Sequence, residues 1–525
     1  MIVDLESLPN DAAQLKQIIA SLNSTYQEKI NYLEDQIRLL QNEIFGRKSE
    51  KRLTADTLQR SLFDEVDGAD AEIVDTASAD ESIEIAPYKR RKAGRKPLPE
   101  DLPRIEVIHD LDESEKQCAC GCQLSRIGEE ACEKLDIVPA RMQVIRHIRY
   151  KYACKGCEGV DSDGPTVLIA PAPKQLIPKS MATSGLLAHI LTAKFEDALP
   201  FYRQSKQFER LGIDLPRATM CNWARQVAEN AAPLSEAMHQ LIREGPIVNI
   251  DETTVQVLDE PGRSDTQQSF MWVFRGGEPD SPVLCYQYHP TRSGSVPCDY
   301  LGSDYEGFVQ TDGYNGYNSL GRQTGVTMVG CWAHARRKFH DVVKAAGNKT
   351  PKKRLAADEA LDFVARIYKV EKDAKELSAD QRYEYRLENA RPVLDQFKQW
   401  LDEMAPRTPP KGLLGKAISY TLNQWPRLIA YLKDGRLRPD NNLAENAIRP
   451  FVVGRKNWLF SGSPEGAAAS AFLYSLIETA KANGLKPYAY LRYLFDKLPL
   501  ASIEEEYRLL LPPFVDEADL LHADA

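Results

Sequence analysis

The stretch PIVNIDETTVQVL, residues 246–258, marks the point at which helical periodicity gives way to strand-like runs. It is an apolar run with Asp251 midway. Two further runs, QSFMWVFRG (268–276) and PVLCYQYHP (282–290), follow after short polar gaps. Short apolar runs rich in β-branched and aromatic residues predict strands. We therefore expect three consecutive strands that form a meander.

Two later segments extend the predicted sheet. GFVQTDGYNGYNSL (307–320) predicts a fourth strand with Asp312 at its end, and VTMVGCWAHARRKF (326–339) predicts a fifth that runs into a helix. Three meandering strands followed by a strand–helix–strand unit are typical of a ribonuclease-H-like mixed α/β domain. We assign this domain to residues 245–465, with a helical insertion at about 345–435.

Three acids in this domain form a candidate metal site. Asp251 and Asp312 become neighbours if the first and fourth strands lie side by side, and Glu445 follows on a predicted helix in RPDNNLAENAIRPFVVGRKNW (438–458). Carboxylate oxygens suit two magnesium ions, or manganese in their place, which would drive phosphoryl transfer. Taken singly, Asp251 could be an ordinary strand acid and Asp312 a turn former. Their order and contexts favour a catalytic site.

Basic side chains follow the acids and predict contacts with DNA phosphates. The candidates in this domain are Arg336, Arg337, Arg449, Arg455 and Lys456. Cys331 and His334 lie in the same segment as the first two, and we expect them either to support the site or to stabilise the strand-to-helix junction.

A cysteine-rich module is predicted at residues 101–165. Cys154 and Cys157 have the spacing of a zinc knuckle, whereas CACGC at 118–122 is irregular. We expect one structural zinc ion on four thiolates, with Cys122 as a substitute ligand; structural cysteines without metal are the alternative. The four expected ligands are Cys118, Cys120, Cys154 and Cys157. A strand before Cys154 would present Arg146, Arg149 and Lys151 to DNA.

The N-terminal region predicts a long helix and a charged linker. Residues 12–50 carry an apolar heptad stripe with one stutter, which predicts a leucine-zipper-like coiled coil and a homo-oligomer; packing on its own domain is the alternative. Residues 51–100 are first acidic and then basic. The basic end, with Arg91, Arg95 and Lys96, predicts a DNA-binding extended segment or a solvated linker.

Two helical modules complete a multidomain α+β architecture. Residues 175–235 predict a helix-turn-helix-like segment, with a break at Gly212 and a second helix starting at Pro216, although plain helical packing would give the same pattern. Residues 466–510 predict a helical C-terminal module. Trp223 is expected in the core under either interpretation of the first module.

Bulk composition limits the location of the protein. The 525 residues have a formal net charge of -9, and no uninterrupted apolar run approaches the roughly 20 residues of a membrane span. The N-terminus lacks a signal-peptide pattern. We expect a cytoplasmic protein without a membrane partner, associated with the nucleoid when bound to DNA. Ten cysteines in such a chain favour metal binding over disulfides.

Long motifs resemble the insertion-sequence 66 family of bacterial transposases over nearly the whole chain. They include LLQNEIFGRKSEK, NIDETTVQVL, VQTDGYNGY, CWAHARRKFHDV, NNLAENAIRPFVVGRKNWLFSGSPEGA and YSLIETAKANGLKPYAYLRYLFDKLP. The resemblance implies a DDE transposase in which Asp251, Asp312 and Glu445 bind two magnesium ions. Such an enzyme binds terminal inverted repeats, cuts at the 3′ ends and joins them to target DNA. Cys331 and His334 resemble a Cys-x-x-His motif of several DDE families, and the resemblance also implies two small element-encoded accessory proteins.

Two other functions fit parts of the pattern. A DNA-binding regulator would keep the zipper and finger modules while its catalytic sheet is inert, and a structure-specific nuclease would hydrolyse DNA without strand transfer. The intact set of three acids argues against the inert regulator. Inverted repeats flanking the coding region would favour transposition over both alternatives.

Overall fold

The structure is a computed structural model that describes residues 142–153, 167–346 and 355–521, single positions among residues 11–37, and residues 104 and 106. The chain divides into two compact units, residues 51–148 and residues 1–50 with 149–525. The predicted zinc ligands and the basic end of the linker lie outside the described residues. Among the helices that are described, none is long and apolar enough to cross a membrane.

The N-terminal helix, α1, is helical at its described positions between residues 14 and 37, as the heptad stripe predicts. Its apolar side chains are exposed: Ile19, Tyr26, Ile30, Leu33 and Ile37 keep between 47% and 56% of their surface open to solvent. Within the part of the chain that the structure describes, these exposed side chains leave an apolar face of α1 on which another helix can pack.

Two short strands, one before and one after Cys154 and Cys157 in sequence, form a small ribbon. Strands β1 (Lys151–Ala153) and β2 (Val167–Ile169) pair antiparallel, and the residues of both that can be assessed are exposed. The prediction of a long basic strand before Cys154 is wrong over residues 142–150, because these residues form no strand. The physical reason is that β2 offers only three residues for ladder hydrogen bonds, and strand structure needs such a partner.

Four helices form the module before the sheet: α2 (Ser184–Phe195), α3 (Phe201–Arg210), α4 (Arg217–Asn230) and α5 (Ala232–Glu244). The predicted break is confirmed, because Gly212 has φ of 78° and Pro216 precedes the first residue of α4. Positive φ is readily adopted only by glycine, and proline cannot continue a helix from the preceding residue. Trp223 is buried in the core, as expected.

The central mixed sheet has the strands that the sequence predicts. They are β3 (Ile247–Val257), β4 (Gln268–Glu278), β5 (Ser281–His289), β6 (Gly307–Gln310) and β7 (Val326–Val329), with α6 (Ser295–Leu301) between β5 and β6 and α7 (Trp332–Ala346) after β7. The order is β5-β4-β3-β6-β7, antiparallel from β5 to β3 and parallel from β3 to β7. The first and fourth strands therefore lie side by side, which meets the condition under which Asp251 and Asp312 become neighbours.

The predicted helical insertion is present, and its helices share a second hydrophobic core with β7 and α7. It contains α8 (Ala356–Asp373), α9 (Ala379–Asn389), α10 (Arg391–Met404) and α11 (Leu413–Leu428). Trp332 at the start of α7 packs against Phe397 of α10 and donates a hydrogen bond from Nε1 to the Leu428 carbonyl at 2.9 Å. The insertion is thus packed onto α7, which follows the last parallel strand.

The chain then returns to the sheet through α12 (Asn442–Trp458), and β8 (Phe460–Ser461) pairs in parallel with the far end of β3. The C-terminal module contains α13 (Pro464–Ala482), α14 (Pro487–Lys497), α15 (Glu504–Leu509) and α16 (Glu517–Leu521). Hydroxyls of Ser475 and Thr479 on α13 accept hydrogen bonds from the Tyr286 and Leu284 amides of β5. Helix α13 therefore protects the open edge of the sheet from pairing with another strand.

Short 3-10 turns connect several of these elements. They lie at Asn315–Asn318, Leu320–Arg322, Ala405–Arg407, Ala430–Lys433, Leu498–Leu500 and Pro512–Phe514.

Candidate active site

The parallel pairing of β3 and β6 brings the first two predicted acids to one region of the sheet. Asn249 of β3 lies opposite Gln310 of β6 in the register, and Asp251 and Asp312 each come two residues later. Asp251 Oδ1 accepts a hydrogen bond from the Glu252 amide at 2.9 Å. Asp312 Oδ1 accepts one from the Tyr314 amide at 2.8 Å.

Glu445 reaches the same region from the first turn of α12, which packs against β3 and β4. Burial raises the pKa of Asp251 to about 7, and the like charges of Glu252, Glu445 and Asp312 add to this effect. The hydrogen bond from the Glu252 amide opposes it. Like charges act on each other in this way only at close range, so the three predicted acids share one electrostatic environment.

Cys331 and His334 adjoin Glu445. The potential metal-ligand atoms of Cys331, His334 and Glu445 all lie within 4.8 Å of one another. Among the described residues, Asp251, Asp312 and Glu445 do not form a cluster as tight as this. His334 Nδ1 lies 3.6 Å from Glu445 Oε1, and both atoms are buried without a hydrogen-bond partner. Burial raises the pKa of the Cys331 thiol to about 12. The Cys331 sulfur accepts a hydrogen bond from the backbone N–H of Asn441 at 3.2 Å.

Three buried amide side chains, which the sequence reasoning did not predict, join the elements that carry the acids. Asn249 Nδ2 donates to Gln310 Oε1 at 3.0 Å and to Asn441 Oδ1 at 3.1 Å. Asn441 Nδ2 donates to the Ile250 carbonyl at 2.9 Å. The signal in the sequence was Asn249, a polar residue between the apolar residues Val248 and Ile250.

A second unpredicted group stabilises the neighbouring acid, Glu252. Its side chain is 1% exposed and accepts hydrogen bonds from the Arg292 guanidinium and the Tyr317 hydroxyl. Arg292 also stacks over the Tyr314 ring at 3.7 Å from the centroid. A buried carboxylate needs such partners, and Glu252 is therefore already satisfied within the chain, unlike Glu445.

The predicted basic residues differ in their surroundings. Arg455 is half-buried, and its Nη1 lies 3.3 Å from the hydroxyls of Thr253 and Thr254 on β3. Burial lowers the pKa of Arg455, and no neighbouring acid raises it. Arg449 and Lys456 are exposed.

The remaining predicted DNA contacts are spread over the chain. Arg337 is exposed on α7, and Arg336 beside it is half-buried. Arg146, Arg149 and Lys151 are exposed around β1, where Arg149 Nε donates to the Ala170 carbonyl at 2.6 Å. Arg91, Arg95 and Lys96 lie outside the described residues.

The donor chemistry of the acids fits divalent magnesium. Magnesium prefers hard carboxylate oxygens and keeps several water ligands. Glu445 Oε1 is buried and lacks a hydrogen-bond partner, which leaves an oxygen free for such a ligand. Asp251 and Asp312 contribute two further carboxylates, and each accepts one backbone hydrogen bond within the described part of the chain.

Comparison with protein families places the chain in a class. The family described as "Transposase IS66 family" matches residues 179–469, which include the sheet, the insertion and all three acids. The "zinc-finger binding domain of transposase IS66" matches residues 115–158, and the "IS66 C-terminal element" matches residues 475–512. A fourth family, "Transposase C of IS166 homeodomain", matches residues 32–107. These matches identify a transposase, a class of protein that acts on DNA.

Within that class the chain belongs to the IS66 family. It is 35% identical to the uncharacterized protein y4jD of Sinorhizobium fredii over 97% of both chains. It is 31% identical to the uncharacterized protein y4qI of the same organism, over 96% of this chain and 91% of that one. The zinc-finger match supports a structural zinc ion in residues 115–158.

Proposed function

We propose that the protein is a DDE-type transposase that binds the inverted repeats of its element, cuts at the 3′ ends and joins them to target DNA. The observation that carries the proposal is the convergence of Asp251, Asp312 and Glu445 on one electrostatic environment from two parallel strands and a later helix. The strand order β5-β4-β3-β6-β7 supports a ribonuclease-H-like catalytic domain.

The three carboxylates would hold the magnesium ions, with Cys331 and His334 beside Glu445 in a supporting role. When bound, two such ions supply activation of a hydroxyl nucleophile and stabilisation of the leaving oxygen in phosphoryl transfer. Asp251 must be ionised to bind a cation, and its pKa of about 7 lets this occur at neutral pH. The pair formed by Glu252 and Arg292 would hold the adjacent β3 backbone in place.

Basic residues behind the acids would bind the DNA strand. Arg455 is desolvated, and its hydrogen-bond partners among the described residues are two hydroxyls, so a phosphate could neutralise it without displacing a described carboxylate. Arg449, Lys456 and Arg337 are exposed and would add sequence-independent attraction to the backbone.

Other parts of the proposal concern regions at the N-terminal side. We assign the structural zinc to Cys118, Cys120, Cys154 and Cys157, with Cys122 as a substitute. The exposed apolar face of α1 would pair with a second copy of the chain. Two element-encoded accessory proteins would assist the reaction.

The decisive experiment compares the single variants Asp251→Asn, Asp312→Asn and Glu445→Gln for magnesium-dependent cleavage and joining of DNA that carries the element ends. All three are expected to lose both activities while retaining DNA binding. Glu478→Gln is the control, because Glu478 is also a helical glutamate, is more buried than Glu445 and lies on α13. Wild-type cleavage by a folded Glu445→Gln variant would contradict the assignment.

The same assay separates the alternatives. A structure-specific nuclease would cleave without joining the 3′ end to a second duplex. An inert regulator would bind the ends but show no cleavage in the wild-type protein.

A further inference from the structure

Each predicted acid is preceded closely in sequence by a buried amide side chain. The pairs are Asn249 with Asp251 on β3, Gln310 with Asp312 just after β6, and Asn441 with Glu445 at the start of α12. Residues two apart in a strand share a face, so Asn249 and Asp251 project from the same side of β3. Gln310 is the last residue of β6 and Asn441 is the N-cap residue of α12, so each of these two amides lies where the chain enters the segment that carries its acid.

The three amides form one hydrogen-bonded network across distant parts of the chain. Asn249 uses both hydrogens of its amide nitrogen, one toward Gln310 and one toward Asn441, which lies 192 residues away in sequence. Gln310 Nε2 donates to the Gly330 carbonyl at 3.2 Å and to the Arg438 carbonyl at 2.7 Å. No buried nitrogen or oxygen of these three side chains lacks a partner.

We propose that Asn249, Gln310 and Asn441 are positioning residues that fix the mutual placement of the three acids and thereby set the affinity of the site for divalent cations. This inference rests on the proposed function, because it assumes that Asp251, Asp312 and Glu445 hold the metal.

The chemistry of the amide group explains why these positions carry Asn and Gln. Only a group with two donor hydrogens can bind two acceptors on different elements at once, as Asn249 does between β6 and α12. A carboxylate at the same place would add negative charge behind three acids, whereas the neutral amide leaves their electrostatics unchanged. Fully satisfied buried networks hold one geometry, because any shift leaves a buried polar group without its partner.

The network matters most for Glu445, since α12 enters the site after the long insertion. The side chain of Asn441 joins the start of α12 to β3, because Nδ2 donates to the Ile250 carbonyl and Oδ1 accepts from Asn249. The backbone N–H of Asn441 donates to the sulfur of Cys331, which directly precedes α7. Glu445 follows one helical turn later. Loosening Asn441 would therefore move Glu445 relative to the two strand acids.

The test measures metal affinity without catalysis. Manganese(II) chloride is titrated into the full-length protein without DNA, and free Mn²⁺ is followed by electron paramagnetic resonance. Gln310→Met is expected to raise the Mn²⁺ dissociation constant about 10- to 100-fold, the usual effect of losing a group that orients metal ligands. Asn249→Ser, which keeps one donor, should shift it in the same direction by less.

Gln204→Met is the matched control. Gln204 is as buried as Gln310, and its Nε2 also donates to two backbone carbonyls, those of Ile190 and Leu199, both at 3.1 Å. A purely structural effect would lower the melting temperature in both variants and weaken Mn²⁺ binding in both or in neither. The proposal requires that Gln310→Met binds Mn²⁺ more weakly than wild type and that Gln204→Met does not.

Wild-type Mn²⁺ affinity in folded Gln310→Met, or in folded Asn249→Ser if the first variant does not fold, would overturn the inference. An equal loss of affinity in Gln204→Met would also overturn it. Asp251→Asn serves in the same titration: if that variant keeps wild-type affinity, the proposed metal site itself is wrong. Loss in Asp251→Asn with none in the amide variants would refute only the positioning role.

Discussion

Replacing Asp251 by asparagine should stabilise the metal-free protein at pH 8. Burial raises the pKa of this carboxyl from its ordinary value of 3.8 to about 7. A pKa difference of this size corresponds to about 4 kcal/mol of free energy of unfolding. Because Asp251 is half-buried and water can screen its charge, we expect about 2 to 4 kcal/mol.

The direction with pH follows from which state binds the proton. Between the two pKa values the folded state holds a proton on Asp251 that the unfolded state has released, so stability falls as the pH rises from about 4 to about 7. Asparagine is neutral throughout and escapes this loss. The advantage of Asp251→Asn should therefore be absent near pH 4, grow toward pH 7 and stay constant above it.

Scanning calorimetry between pH 5 and pH 8.5, without added magnesium and without a chelator that would remove zinc, measures the effect. The variant should melt on the order of a few °C higher than wild type at pH 8. The exposed Asp299 provides the control, since Asp299→Asn should melt like wild type. Parallel pH profiles for wild type and Asp251→Asn would refute the argument that burial and like charges destabilise this carboxylate.

Three further predictions concern other parts of the molecule. Arg386→Met should cost about 3 to 5 kcal/mol of stability in denaturant unfolding, because it leaves Glu371 unpaired; a loss below about 1 kcal/mol would refute a buried ion pair there. Arg455→Gln should weaken binding to end DNA and lower the slope of log affinity against log salt concentration by about one, the value for one lost phosphate contact. An unchanged slope would show that Arg455 does not contact a phosphate. Ile30→Glu should lower the oligomer mass in light scattering, whereas an unchanged mass would show that α1 does not carry the interface.

The sequence predicted the sheet well because its signals are local. Apolar runs of strand length mark β3 to β7, and the short segments between them predict a meander followed by parallel strands. The pairing of β3 with β6 was predicted only conditionally, and the structure confirms it. The length of the strand before Cys154 was overestimated, because alternation of apolar and basic residues does not reveal whether a neighbouring strand is long enough to pair with it.

The surroundings of the acids could not be predicted in the same way. Asn249 and Asn441 are 192 residues apart, and nothing in the local pattern of either shows that the two will share a hydrogen bond. Arg292 and Glu252 are likewise 40 residues apart and look like ordinary surface charges in sequence. The order of acids along a chain can indicate a site, whereas the polar groups that hold the acids depend on the finished packing.

The link between Gln310 and the Arg438 carbonyl has a consequence for synthesis on the ribosome. Its two residues are separated by 128 positions, which take roughly 6 to 26 s to translate at about 5 to 20 residues per second. During that interval a nascent chain has exposed both strand acids but has neither Glu445 nor the segment that anchors it. If Glu445 completes the metal site as proposed, a chain that stops before it would be unable to cut DNA, and the late position of Glu445 would protect the host chromosome from partially made enzyme.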